Sequence, residues 1–259
     1  MIKIAGITVA AVFVFLGLQP AARADSIAYM ATGSDNFGTI DLNTGVYTQI
    51  GNMGQLLAGL GAAGSNLYGG VNHGSSLYQV NLTNGILTPI GDGSISYALF
   101  GSTTSGLYAL APGGAALYSI NPTTGATTLI GPTGIGFSGS WFGLSADAAA
   151  LYLSDGTNLY SLNTTTGTAT LIGGTGGPQF GALVFENGVL WGGSDTDNSV
   201  YTINTTTGAP TFVASLSNGE GNFWGLAVPM TATPEPSSLV LLGTVLLGLG
   251  AIAGRRLHG

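Results

Sequence analysis

The sequence predicts an all-β protein: residues 25–230 form a five-bladed β-propeller closed by its own two ends, and a single C-terminal transmembrane helix follows. Three observations predict the ring. One hairpin-like stretch recurs five times, each full recurrence is preceded by two further strand-like runs, and the strand missing from the first repeat is found after the last.

The recurring stretch reads FGTIDLNTGVYTQIG at 37–51, LYQVNLTNGILTPIG at 77–91, LYSINPTTGATTLIG at 117–131, LYSLNTTTGTATLIG at 159–173 and VYTINTTTGAPTFVA at 200–214. Its turn glycines, Gly45, Gly85, Gly125, Gly167 and Gly208, are spaced by 40, 40, 42 and 41 residues. Strand-favouring Leu, Tyr, Ile and Val fill the first arm. Asp41, Asn81, Asn121, Asn163 and Asn204 then offer a side-chain oxygen to the turning backbone, and the glycine supplies a positive φ. A lone hairpin cannot bury its faces, so each copy needs its neighbours.

In chain order, the first unit offers only three strands, at 27–30, 37–41 and 46–50. The second offers four, at 56–60, 67–70, 77–81 and 86–90. The third gives 97–100, 106–110, 117–121 and 126–130, and the fourth 141–144, 151–154, 159–163 and 168–172. The fifth gives 180–184, 189–192, 200–204 and 210–213. NFWGLA at 222–227 is similar to SWFGLS at 140–145, so 222–228 supplies the inner strand that the first unit lacks. Such pairing hides both sheet edges, whereas an open stack would leave the two end fragments exposed. It also brings both termini out beside the Asn-x-x-Thr-Gly hairpins. The second-to-third-strand turns and the blade-to-blade loops then share the opposite, outward face.

The ends carry address signals. Residues 1–24 hold Lys3, an apolar run over 4–18, Pro20 and the small-x-small site Ala22-Arg23-Ala24, the pattern of a secretory signal peptide. Residues 231–238 read as a linker, and 239–259 as an uncharged run over 239–254 closed by Arg255-Arg256, about the minimum for a bilayer-spanning helix. With Pro234-Glu235-Pro236 ahead of it, this tail resembles the PEP-CTERM sorting signal, a tail family also labelled an ice-binding protein C-terminal domain. The resemblance covers about the last tenth of the chain. It implies sorting residues at Pro234, Glu235, Pro236, Arg255 and Arg256, handling by an exosortase, and surface delivery or release in bacteria that make exopolysaccharide.

Composition narrows the partners. The four Lys and Arg all lie outside 25–230, while ten Asp and Glu lie within it, and the whole chain carries a net charge of −7. No clustered cations exist to meet phosphate, which excludes a nucleic-acid or anionic-lipid surface for the propeller. The chain has no cysteine, so disulfide and thiolate chemistry are absent.

Three sets of residues are candidates for function. Trp141, Phe142, Phe180, Phe223 and Trp224 begin inner strands near the mouth of the central channel, where Trp141, Phe142, Phe223 and Trp224 could stack on sugar rings; the competing reading is packing between blades. The outward turns collect Asp35, Asp155, Asp195 and Asp197, with Asp92 and Glu220 in blade-to-blade loops. Asp195, Asp197 and Asn198 are the candidate calcium ligands, against a reading as plain turn chemistry, and no other cofactor is expected. The inner strands contain no Asp or Glu, Asp147 and Glu186 sit in first-to-second-strand turns on the other face, and His73 has no evident partner. The sequence therefore favours a non-catalytic surface or matrix module, with glycan as the ligand class, over a carbohydrate-active enzyme. Asn-x-Thr at Asn81, Asn163 and Asn204 reads as turn chemistry, and the Thr-rich hairpins do not form the flat lattice that ice binding needs.

Overall fold

The computed structural model describes residues 26–229, apart from 98, 104–105, 137–142, 147–149 and 218–221. The expected signal peptide, linker, transmembrane helix and all five sorting residues lie outside the described residues. Among the described residues, no helix is long and apolar enough to cross a membrane.

Five four-stranded antiparallel sheets form the blades. The first begins with β1 (Ile27–Thr32), β2 (Asn36–Asp41) and β3 (Val46–Asn52). The second holds β4 (Leu57–Ala63), β5 (Asn66–Val71), β6 (Ser76–Val80) and β7 (Leu87–Asp92), and the third β8 (Leu99–Thr103), β9 (Gly106–Leu110), β10 (Ala116–Ile120) and β11 (Thr127–Pro132). The fourth holds β12 (Gly143–Ala146), β13 (Leu151–Ser154), β14 (Asn158–Leu162) and β15 (Ala169–Gly174). The fifth holds β16 (Phe180–Glu186), β17 (Val189–Ser194), β18 (Ser199–Ile203) and β19 (Pro210–Ser215). The last strand, β20 (Phe223–Ala227), returns to complete the first blade in the order β20-β1-β2-β3. Its register sets Met30 opposite Leu226 and Tyr29 opposite Ala227, so the ring closes as the sequence predicts.

Two inner strands differ in their bounds from those expected, one of them only because its first two expected residues, 141 and 142, lie outside the described residues. The strand expected at 97–100 is observed at Leu99–Thr103, because Tyr97 instead makes a parallel bridge to Asn72 and buries its ring against Phe100. The strand expected at 141–144 is observed at Gly143–Ala146.

Alternation along each strand sends apolar side chains between blades, and the core divides into five clusters, one per seam. The closing seam is as well filled as the others: Ala182, Val184, Trp191 and Val200 of the fifth blade meet Met30, Ile40, Phe223 and Leu226 of the first. The hairpin turns are built as their sequences require. In the third blade the Asn121 Oδ1 accepts from the amides of Thr123 at 2.8 Å and Thr124 at 3.2 Å, and Gly125 turns the chain at φ 76°. Replacing Asn121 with Ala is expected to cost about 0.5–1.5 kcal/mol, read as a lower denaturant midpoint with an unchanged slope.

The glycine that ends each repeat's Ile-Gly pair has a separate task. A Cβ at Gly51, Gly91, Gly131 or Gly173 would run into the turn carbonyl of the following blade, contributed by Asn84, Thr124, Thr166 and Thr207 respectively. Each hairpin is thus tucked against the outer strand of the blade before it. At the closing seam Ala214 replaces the glycine, and here Ser217 donates its amide to the Gly45 carbonyl at 2.9 Å while its Oγ accepts from the Tyr47 amide at 3.2 Å.

Candidate functional site

The inner strands, on which the sequence places its aromatic candidates, share an x-Gly-x core: Ala58-Gly59-Leu60, Phe100-Gly101-Ser102, Phe142-Gly143-Leu144, Phe180-Gly181-Ala182 and Trp224-Gly225-Leu226. Each glycine lets the next blade's inner strand approach. A Cβ at Gly225 would lie 2.6 Å from the Leu60 amide nitrogen, one at Gly101 2.6 Å from the Leu144 carbonyl oxygen, and one at Gly143 2.7 Å from Leu183 Cγ. Cβ atoms at Gly59 and Gly181 would meet the carbonyl oxygens of Phe100 and Phe223, so the contacts run once round the ring. The axis is therefore packed rather than an open channel. Among the described residues the axis keeps a small pocket, with room for little more than a water molecule, lined by backbone, by Leu60, Leu144, Leu183 and Leu226, and by Trp224.

The aromatics divide accordingly. Phe223 is fully buried, and Gly193 is the residue that makes room for its ring, so Phe223 has no face to offer a ligand. Phe180 is buried likewise, edge-on to Tyr201 at 5.7 Å. Trp141 and Phe142 lie outside the described residues. Trp224 differs from its neighbour: it is half-buried, it lines the axial pocket, and its indole lies across the β1–β2 turn, with Nε1 2.7 Å from where a Cβ of Gly33 would be. That Nε1 is buried without a hydrogen-bond partner among the described residues, as is Oδ1 of Asp35 two residues beyond Gly33.

The turn that follows β17 reaches to the same strand. The Asp195 Oδ1 accepts from the Phe223 amide at 2.5 Å, and the Asn198 Oδ1 accepts from the Asn222 amide at 3.3 Å. Asp197 accepts from the Tyr201 hydroxyl at 2.5 Å; burial first, and this bond and the carboxylate's charge after it, raise the phenol to about 12. The three candidate calcium ligands thus have oxygens engaged by protein donors. Among the described residues, no three His, Asp or Glu side chains gather as a metal-binding set. Asp155, one blade earlier, is a turn carboxylate: burial pushes it up, but bonds from the Thr157 and Asn158 amides, the Asn158 side chain and the Tyr160 hydroxyl leave it below the ordinary carboxylate value.

Asp195 is the opposite case. Burial, only partly offset by the Phe223 amide, pushes its carboxyl up to about 7. The folded chain then holds a proton that the unfolded chain has released between about pH 4 and 7, so this group's contribution to stability falls as pH rises through that window. The melting temperature of the wild type is expected to fall over that range relative to Asp195→Asn; parallel pH curves for the two proteins would remove the assignment.

Asp195 acting on the closing strand is the feature sequence reasoning missed. It reads as one more turn residue, and only the fold shows that its side chain enters the space left by Gly181. The ring of inner glycines was open to detection as a recurring aromatic-Gly pair. Of the remaining acids, Glu186 sits half-buried at the β16–β17 turn with its carboxyl raised by burial, and Asp147 lies outside the described residues. His73 occupies a left-handed turn position, φ 56°.

The architecture defines the class first: a five-bladed β-propeller closed by a C-terminal strand. Among solved structures it is similar to a chain of the structure described as "Crystal structure of Nidogen/Laminin Complex", at 10% identity and a TM-score of 0.56, over 79% of this chain and 98% of that one. At that identity the likeness concerns the fold alone. The tail adds the particular: residues 232–256 match the model of the PEP-CTERM protein-sorting motif. The chain therefore carries the signal of an exported, exosortase-processed protein. No curated protein matches the chain.

Proposed function

We propose that the propeller is a non-catalytic interaction module, delivered by its sorting tail to the cell surface or extracellular matrix, and that its ligand is a glycan of the exopolysaccharide class. The export half rests on the sorting motif at 232–256. The glycan half rests on Trp224, the described indole at the axial end of the outward face, set in a site too shallow to enclose a small molecule. Stacking on one face of an indole suits a sugar ring held at a surface.

A glycan array with the full chain tests the binding claim. Trp224→Ala is expected to lose binding by about tenfold or more while the melting temperature stays near that of the wild type, and an array without any bound glycan would sink the reading. Fractionation of the native host tests the address: full-length protein stable in the cytoplasm would refute export.

One observation favours an enzyme instead. A buried acid held near pH 7 beside the inner strands is the kind of group that carries general acid catalysis. Glycoside hydrolysis needs a second carboxyl at about 5–9.5 Å, and the one carboxyl on the described inner strands, Glu186, ends β16 at the turn on the opposite face from Asp195. A hydrolysis screen decides between the two: turnover abolished by Asp195→Asn would replace the binding module with a carbohydrate-active enzyme.

A further inference from the structure

Three Asn-Gly pairs occur in the chain: Asn84-Gly85, Asn187-Gly188 and Asn218-Gly219, the last outside the described residues. In such a pair the glycine amide nitrogen can reach the carbonyl carbon of the asparagine side chain, since no Cβ on the glycine obstructs the approach. The fold treats the two described pairs differently.

Asn84 is held in place. Its Oδ1 accepts from the Ile86 amide at 3.0 Å, and the Gly85 amide donates to the Asn81 carbonyl at 2.8 Å. Gly85 is buried, and the Asn84 carbonyl is pressed against Gly51 of the first blade. Asn187 and Gly188 instead form the whole two-residue loop between β16 and β17, closed by the opposed pair Glu186 and Val189. Both have positive φ, 52° and 79°, the type I′ arrangement that Asn-Gly favours. Both are exposed, a Cβ on Gly188 would meet nothing within 4 Å among the described residues, and neither the Asn187 side chain nor the Gly188 amide has a hydrogen-bond partner there. Fraying of this one exposed turn frees the pair, whereas freeing Asn84 means lifting a hairpin off the neighbouring blade.

We infer that Asn187 is a site of spontaneous covalent modification, converted to aspartate and isoaspartate, and that the fold spares Asn84. The Gly188 amide loses its proton to solvent, its nitrogen bonds to the Asn187 Cγ, and the side-chain nitrogen leaves as ammonia, taking up a proton. Water then opens the resulting succinimide ring. Opening at Cγ gives aspartate with the main chain intact; opening at the α-carbonyl carbon gives isoaspartate, whose main chain runs on through Cβ and Cγ. One backbone atom is thereby added to a loop whose geometry fits two residues, and a new carboxylate stands next to Glu186. The altered loop joins the two strands that bring Ala182, Val184 and Trp191 to the closing seam.

Prolonged incubation of the full chain in non-ionic detergent at mildly alkaline pH tests this. Chymotrypsin must replace trypsin for the digest, since the described residues include no Lys or Arg. The mass gain of deamidation is expected to appear about fivefold or more faster in the peptide holding Asn187 than in the one holding Asn84, and isoaspartyl methyltransferase is expected to label the former. In concentrated urea the two rates should converge, because both pairs then have the same freedom. Equal conversion in the folded chain, faster conversion at Asn84, or conversion at neither would overturn the assignment. A preference for Asn187 that persists undiminished in urea would trace it to the local sequence and overturn the part given to the fold.

Discussion

Truncation after Asn218 is expected to unfold the propeller, whereas truncation after Thr231 leaves it folded. The first cut removes β20, and with it Phe223 and Leu226, which are 0% and 3% exposed in the core between the fifth and first blades. At about 1.5–3 kcal/mol for each large apolar side chain, their loss takes much of a typical total stability of roughly 5–15 kcal/mol. It also bares the inner edge of β1 and strips Met30 and Ala31 of their cover. The second cut leaves every described residue in place. Circular dichroism melts of the two products, with gel filtration for aggregation, make the comparison, and equal melting temperatures would mean that closure by β20 contributes nothing.

Substitution in the inner glycine ring is expected to have the next largest effect. A Val at Gly101 or Gly225 would press its branched carbons against the Leu144 carbonyl or the Leu60 amide, both of them strand backbone that cannot rotate out of the way. Overpacking of this kind costs about 1–3 kcal/mol where side chains can yield, and more is expected where only main chain faces the new atoms. Either variant should shift the denaturant midpoint by at least that amount, and the double variant should not fold. Gly136 supplies the control. A Cβ there meets nothing within 4 Å among the described residues, so Gly136→Ala should stay within about 0.5 kcal/mol of the wild type. Equal losses at Gly136 and Gly101 would show that the cost does not come from the contact between blades.

The ring itself was legible because its instructions are local and repeated. Asn121 with Gly125 specifies a turn, Leu117 to Ile120 specifies an alternating strand, and five such units at near-constant spacing leave little else to build. Even the closing strand could be read, since Phe223-Trp224-Gly225-Leu226 repeats a fragment that the first unit lacks. The interior of the ring could not. Whether an aromatic beside the axis faces a ligand or a neighbouring blade depends on how closely the inner strands approach, and that is set jointly by five glycines far apart in the chain. Phe223 and Trp224 are adjacent and chemically similar, yet alternation along β20 sends one into the core and leaves the other half-buried beside the axial pocket. Asp195 was likewise hidden. Its sequence neighbours announce a turn, while its partner, the Phe223 amide, lies 28 residues on.

Closure by the last strand also decides where the molecule feels force. A tether attached beyond residue 229 pulls first on Ala227, at the end of β20, along the length of that strand. The hydrogen bonds that join β20 to β1 run across the strands, so a pull along β20 strains them side by side and they must yield together rather than one after another. The glycine contacts to the second and fifth blades hold the same strand from both flanks. A propeller held by its tail while its far face grips a matrix would carry the tension through its most interlocked strand, and the other blades would be spared the load.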